Sequence, residues 1–333
     1  MDAVARSVLA DALDAEPRAT EPAPTGNSKR TVFATLADGR ECVVQYAPAG
    51  ALATETALWR AVADRTGVPV AELLAAGETA HPETGERLSY VVCERVGGLD
   101  LHVAFTDLAP PDRAAVAHTL GGCLGTLHAA FPFDGYGEVV AADDGLRVAD
   151  PTTDWRAWFE GYLESGLSAL GPELAPLADE VRAAVDPKSL PERPPATLFP
   201  WDFRPGNAML DRSSGAVTAI LDWGGPLAAD PALSLAKAEY LTADWYCEGG
   251  PDTAAADRLR ESFREGYAER RPVPEVPRAY RLAAVVRSAY DSRGEVTRPG
   301  YPEREGERAV GFHREHLRAL LDERAVREGE TDV

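Results

Sequence analysis

Lysine is nearly missing from this 333-residue chain, which has only Lys29, Lys188 and Lys237 among its 34 basic residues. Against 54 Asp and Glu, the basic residues leave a net charge of −20. That deficit argues against nucleic acid as a partner, because a phosphate backbone is bound through clustered Lys and Arg. Carboxylates tolerate such crowding when salt screens their repulsion, so the composition suits a cytosolic protein of a salt-accumulating, GC-rich organism. Long apolar runs are also lacking. No stretch approaches the roughly eighteen residues a membrane helix needs, and no basic amphipathic stretch points to a membrane surface. Residues 1–16 have neither a basic start nor a long apolar core, so they do not read as a signal peptide. Their Val4, Val8, Leu9 and Leu13 predict a short amphipathic helix. The four cysteines, Cys42, Cys93, Cys123 and Cys247, are far apart and form no C-x-x-C. They are expected to be free thiols in a reducing compartment.

What is present divides into two parts. Residues 17–28, rich in Pro, Thr and Gly, read as a linker into a β-hairpin, with strands over 31–36 and 41–46 around an Ala-Asp-Gly-Arg turn. A helix is expected over 54–63, then strands over 70–75 and 88–96. Gly97-Gly98 marks a boundary, giving an N-terminal domain over 1–96 and a C-terminal one over 97–333. Beyond it helices dominate: 114–130, 154–170, 172–185, 231–241, 253–269, 276–290 and 303–327. Strands first and helices afterwards are an α+β signal. Trp155, Trp158 and Phe159 at helical spacing read as core, and His313 with His316 as a solvated helix face. No histidine and cysteine spacing fits a metal site, and Ser213-Ser214 has no base beside it for hydrolytic chemistry.

The chemistry lies in LFPWDFRPGNAML (198–210) and AILDWGG (219–225). Residues 196–199 read as a strand, Pro200 and Arg204-Pro205-Gly206 enforce a loop, and 208–210 with 217–221 form a hairpin about 211–215. A carboxylate (Asp202), a carboxamide five residues on (Asn207) and a second carboxylate after the hairpin (Asp222) can assemble a metal–phosphate site. Phosphoryl transfer needs a group that orients the attacking hydroxyl and hard oxygen ligands for Mg²⁺. Asp202 fits the first role and Asn207 with Asp222 the second. The same residue types are also ordinary turn formers.

DFRPGNAML followed by AILDWGGPLAADPALSLA resembles the catalytic segment of the aminoglycoside phosphotransferase family. SYVVCERVGGLDL (89–101) resembles that family's inter-lobe hinge, and GGCLGTLHAAFPFDGYGEV (121–139) the helix and Leu-His segment after it. The resemblance implies a two-lobed, protein-kinase-like fold with a small β-rich N-terminal lobe and a larger, mainly helical C-terminal lobe. It implies an ATP- or GTP-dependent transfer to a hydroxyl of a small molecule, with Mg²⁺ as cofactor. The nucleotide base would meet backbone around Glu94 and Val96, and Glu55 and Gln45 would line the phosphate side. His128 would pack behind the catalytic loop, and Asp230 would cap the next helix.

Three positions depart from the family pattern. Pro200-Trp201 stands where His-Gly is usual, Ser234 where an Asp is usual, and Gln45 where a lysine usually grips the phosphates. Gln45 can donate a hydrogen bond to a phosphate oxygen and to Glu55 but supplies no positive charge, which is expected to weaken activity. Lys29 and Arg30, after Gly26-Asn27-Ser28, are candidates to replace that charge, or else solvated turn cations. The departures leave a second reading open, a catalytically impaired nucleotide- or metabolite-binding regulator.

Overall fold

The computed structural model describes residues 2–23, 29–143, 145–247, 253–291, 293–297 and 306–330, with side chains to 323. Gly26, Asn27, Ser28, the start of the expected 303–327 helix and the last three residues lie outside the described residues. The chain divides into two compact units. Unit 1 comprises Met1–Leu99, Val139–Arg147 and Met209–Pro226, and unit 2 comprises Asp100–Glu138, Val148–Ala208 and Leu227–Val333. Two segments beyond residue 97 thus group with the N-terminal unit.

Unit 1 begins with α1 (Ala3–Leu13), started by the Asp2 carboxylate, which accepts from the Ala5 N–H at 2.9 Å. Its Val4, Ala5, Val8 and Leu9 pack with Val32, Ala34, Val44 and Val92 in one buried cluster. Those partners come from an antiparallel sheet of β1 (Pro17–Pro22), β2 (Arg30–Leu36), β3 (Glu41–Pro48), β4 (Leu73–Ala80) and β5 (Arg87–Glu94), in the order β1-β2-β3-β5-β4. The expected linker is therefore an edge strand, paired with β2 from Pro17↔Leu36 to Pro22↔Val32. Its prolines sit at its two ends, where a missing N–H is tolerated on an edge. The strand expected over 70–75 starts instead at Leu73 and runs to Ala80, and the following one ends at Glu94. The β2–β3 turn holds Gly39 at φ +89°, the left-handed conformation that glycine adopts without Cβ cost. Between β3 and β4, α2 (Ala53–Arg65) buries Glu55, Thr56, Leu58, Trp59 and Val62.

Past β5, β6 (Leu99–Asp100) and α3 (Leu101–Ala104) lead into α4 (Pro110–Ala130), which starts four residues earlier than its apolar pattern because Pro110 suits a first helical turn. Short strands follow: β7 (Pro132–Phe133), β8 (Gly137–Ala142) and β9 (Gly145–Val148). Next come α5 (Trp155–Ser168), capped by Asp154, and α6 (Ala178–Ala184). β10 (Ala196–Phe199), β11 (Ala208–Leu210), β12 (Val217–Ile220) and β13 (Leu227–Ala229) lead to the last helices. These are α7 (Pro231–Glu239), α8 (Ala254–Ala268), α9 (Arg278–Val286) and α10 (Gly306–Glu330). Two further sheets run β7-β10-β13-β8-β9 and β12-β11-β6. The expected helix over 172–185 is cut to its second half, α6, by a 3-10 turn at Ala175–Leu177 that contains Pro176 and follows Pro172.

In unit 2, α4 and α8 cross at glycines. A Cβ on Gly121 would fall inside contact distance of the Phe263 carbonyl oxygen, and one on Gly266 against that of His118. Trp155 and Phe159 are fully buried, as expected of core, and Trp158 stacks on Trp155 and Tyr162. His313 and His316 do not face solvent. His313 pairs with Tyr240 Oη at 2.8 Å and the Thr297 carbonyl at 2.7 Å, and His316 with the Phe312 carbonyl at 2.8 Å. Helical spacing fixed their common face, but only the packing of α10 decided that this face is inward. The four cysteines are buried and free.

His128 on α4 sits between Tyr267 Oη (2.8 Å from Nδ1) and Ser234 Oγ (3.0 Å from Nε2). Burial, with Arg271 adding to it, pushes its imidazole down to about 3. The unfolded chain therefore binds more protons between about pH 6.5 and 3, and the His128 contribution is lost as pH falls through that window. Ser234→Ala leaves a buried imidazole nitrogen without its partner. A loss of about 1–3 kcal/mol is expected, read as a lower denaturation midpoint at neutral pH. An unchanged midpoint would remove Ser234 from the support of His128.

Candidate functional site

The loop that carries Asp202 and Asn207 follows β10 in unit 2. Asp202 accepts at 3.0 Å from Arg204 Nε on both carboxylate oxygens. Asn207 Nδ2 donates to the Asp202 backbone oxygen at 2.7 Å and to its Oδ2 at 3.0 Å. The carboxamide thus closes the loop on itself, which leaves Asn207 Oδ1 free of any hydrogen bond among the described residues. Behind the loop, Tyr246 Oη accepts from the Gly206 N–H at 3.0 Å and from Arg204 Nη1 at 3.1 Å. A Cβ at Gly206 would stand 2.6 Å from that phenol oxygen, so any larger residue would push Tyr246 and Arg204 aside. Arg204 and Tyr246 brace a loop that lacks the family's usual histidine.

Burial works against an ionised Asp202, but Arg204, Lys237 and the Asn207 amide outweigh it and hold the carboxyl below its ordinary range. Lys237, on α7, is itself only 3% exposed. Its Nζ lies 3.2 Å from the centroid of the Trp201 ring, and the Arg287 guanidinium lies 4.9 Å from the same ring. Trp201, standing where the family has glycine, thus offers its face to two cations. Burial pushes the Lys237 ammonium down from 10.5 to about 7, against the pull of Asp202.

That shift carries a pH signature. Between about pH 7 and 10.5 the unfolded chain binds the extra proton, so wild-type stability rises across this window. Lys237→Met should abolish the rise and lift the neutral-pH melting temperature by roughly 2–4 °C per kcal/mol recovered. It should also raise the Asp202 pKa, moving the acidic limb of the turnover–pH profile upward. Melting curves and a pH profile that match wild type would refute both expectations.

In unit 1, Asp222 follows β12 with φ +61°, in the left-handed region that Asp enters more readily than most side chains, as Asp14 and Asp150 also do here. Its carboxylate is about half exposed (49%) and lies 3.6 Å from Lys29 Nζ. Lys29 also forms an ion pair with Glu55 Oε1. A Cβ on Gly224 would lie 3.4 Å from Asp222 Oδ1 and 3.8 Å from Glu55 Oε2, so both carboxylates border one small space. Gln45 is paired in register with Thr31 and donates to its Oγ1 at 3.5 Å. The expected Gln45–Glu55 hydrogen bond is thus replaced by a lysine–glutamate pair, because Lys29 enters from the start of β2. Arg30 is exposed and faces Tyr46 across the hairpin. At the end of β5, the Glu94 N–H donates to the Glu72 carbonyl at 2.9 Å, and the Val96 N–H meets no acceptor among the described residues.

The sequence-predicted residues thus fall into two groups: Asp202 with Asn207, and Gln45, Glu55 and Asp222 with the hinge residues Glu94 and Val96. Arg204, Tyr246, Lys237 and Trp201 were missed as site residues. Lysine scarcity was the available signal for Lys237, an ammonium kept inside an apolar helix; nothing in sequence links Tyr246 to residues forty positions away. A cavity of about 880 Å³ borders Glu239, Asp244, Arg260, Arg264 and His316. Its buried carboxylates are paired, Glu239 with Arg264 and Asp244 with Arg260, and Asp202 does not line it.

The profile of the Phosphotransferase enzyme family matches residues 19–273. No curated protein matches the chain. Among solved structures, a thermostable mutant of aminoglycoside phosphotransferase APH(4)-Ia is 19% identical with a TM-score of 0.64, over 96% of this chain and 99% of its own. An amicoumacin kinase solved with AMP-PNP and Ca²⁺ is 14% identical with a TM-score of 0.58, over 92% and 89%. Spectinomycin phosphotransferase APH(9)-Ia, solved with ADP and spectinomycin, is 10% identical with a TM-score of 0.56, over 96% of both chains. At these identities the likeness establishes the kinase-like fold, with its β-rich N-terminal region and helical C-terminal part.

Proposed function

Because the chain belongs to the phosphotransferase enzyme family, we propose that it transfers the γ-phosphoryl group of ATP or GTP to a hydroxyl of a small molecule, with Asp202 as base. The observation that carries this reading is the Asp202–Asn207 loop, in which one side chain both orients the carboxylate and keeps an oxygen free. Asp202 would accept the acceptor's hydroxyl hydrogen bond and then its proton as the oxygen attacks phosphorus. Arg204 and Lys237 favour its ionised form, so it stays competent throughout the neutral range.

The family resemblance makes Asn207 and Asp222 the metal ligands, and the donor type of each suits Mg²⁺. Asn207 Oδ1 and the Asp222 carboxylate are hard oxygens, and that ion takes few protein ligands beside phosphate and water. When bound, it would neutralise charge on the transferring phosphates. The Val96 N–H is the backbone donor proposed for the nucleotide base, beside Glu94, and Gln45 would supply a neutral donor on the phosphate side.

A coupled ADP or GDP release assay over hydroxyl-bearing acceptors (aminoglycosides, amino alcohols and sugars), with and without chelator, tests the reading. Acceptor-dependent, chelator-sensitive release is expected. Nucleotide binding without transfer to any acceptor would favour the regulatory reading, and neither binding nor transfer would overturn both.

A further inference from the structure

We infer that Lys29, from the start of β2 rather than from β3, is the residue that grips the nucleotide phosphates, held in place by Glu55 beside Asp222. This inference rests on the phosphotransferase reading and adds to it the cation that Gln45 cannot provide.

The geometry has three parts. First, the Lys29 side chain is only 13% exposed and Glu55 10%, so the pair is not a solvated surface contact. Second, Lys29 Nζ also reaches to within 3.6 Å of Asp222 Oδ1, so one ammonium serves both carboxylates that border the Gly224 space. Glu55 and Asp222 without a cation would repel each other and any phosphate brought beside them. Third, Gln45 has its own partner in Thr31, directly opposite in the β2–β3 register. The position that a β3 lysine would occupy is filled by a neutral amide engaged within the hairpin.

Composition points the same way. Arginine has taken over nearly every basic position of this chain, yet two of its three lysines are largely buried, Lys29 against Glu55 and Asp222 and Lys237 over the Trp201 ring under the electrostatic pull of Asp202. A compact ammonium with three freely rotating donors suits a slot between two carboxylates and a phosphate, where a planar guanidinium would not fit as a point charge. The Asp222 carboxylate, half exposed and presented by a left-handed residue, leaves one side of that slot open to a ligand.

The test compares wild type, Lys29→Met, Gln45→Lys and the Lys29→Met/Gln45→Lys double variant. Each is measured for affinity of a fluorescent ATP analogue, for turnover and for melting temperature. For Lys29→Met, nucleotide affinity should fall by about tenfold or more and kcat/KM by about 10²–10³. The double variant should regain at least about tenfold of that loss, since an ammonium returns on β3, at the position paired in register with Thr31 of β2. Gln45→Lys alone supplies the background against which the double variant is read. The inference is overturned if Lys29→Met binds and turns over as wild type. It is equally overturned if the loss tracks a fall in melting temperature and Gln45→Lys restores nothing, which marks a purely structural ion pair. A wild-type protein that neither binds nucleotide nor releases ADP on any acceptor fails the phosphotransferase reading itself, a separate outcome.

Discussion

Asp202→Asn is expected to lower kcat by about 10³-fold or more while nucleotide affinity changes by less than about threefold. The substitution keeps the size and one oxygen of the side chain, so the Asn207 and Arg204 contacts can persist in part. What it removes is the negative charge and the ability to take a proton. Wild-type Asp202 is held below its ordinary range although burial opposes this, because Arg204 and Lys237 favour the charged form. Turnover in wild type should therefore be flat across neutral pH and decline only on the acid side, as Asp202 protonates. The variant should lose that acid limb along with its rate. The measurement is ADP release at saturating acceptor beside a nucleotide titration. A variant with wild-type turnover would sink the assignment of Asp202 as base. A variant that also fails to bind nucleotide would show that the loop, and not the base, had been damaged.

The second large effect concerns folding. Gly121→Ala should destabilise the protein by at least about 3 kcal/mol, because the new Cβ meets the Phe263 backbone carbonyl and no rotamer change relieves that clash. Helices α4 and α8 would have to separate. Leu120, Leu124 and Phe263 are fully buried there, and Tyr267 supports His128, so separation opens the core of unit 2. Neighbouring glycines are tight as well: a Cβ on Gly125 would stand 2.9 Å from Arg270 Cβ and 3.1 Å from the Tyr267 carbonyl. Gly161 on α5 provides the control, since nothing lies within 4 Å of its Cβ position. Gly161→Ala should be neutral or stabilising by roughly 0.5–1 kcal/mol, as expected for a helix interior. Thermal melting of the two variants separates close packing from helix propensity. Equal melting temperatures would show that the α4–α8 contact yields where the geometry says it cannot.

Part of the candidate site is written in local sequence. The Asp202–Asn207 spacing sits on a loop forced by Pro200 and Pro205, and Asp222 ends a strand of the hairpin that the turn at 211–215 closes. These are local patterns, in which neighbours along the chain remain neighbours in space. The helices that were read correctly carry their own caps and periodicity, as Asp154 does for α5 and Asp230 for α7. Misread segments failed where partners decide. Residues 17–22 look like a Pro-Thr linker, and only pairing with β2 makes them a strand. His313 and His316 share a helix face whose exposure depends on what packs against it.

The sequence alone determined the α+β order, the family resemblance, and the loop that carries Asp202 and Asn207, because all three are written in short-range spacing. It also showed that the usual lysine was missing at position 45, and left Lys29 and Arg30 as equal candidates to replace it. Only the tertiary structure separated them. An ion pair across twenty-six residues, a second carboxylate from Asp222, and a buried Lys237 on the Trp201 face are long-range contacts. The free energy of a charge depends on which groups surround it once the chain has folded, and no local pattern records those neighbours.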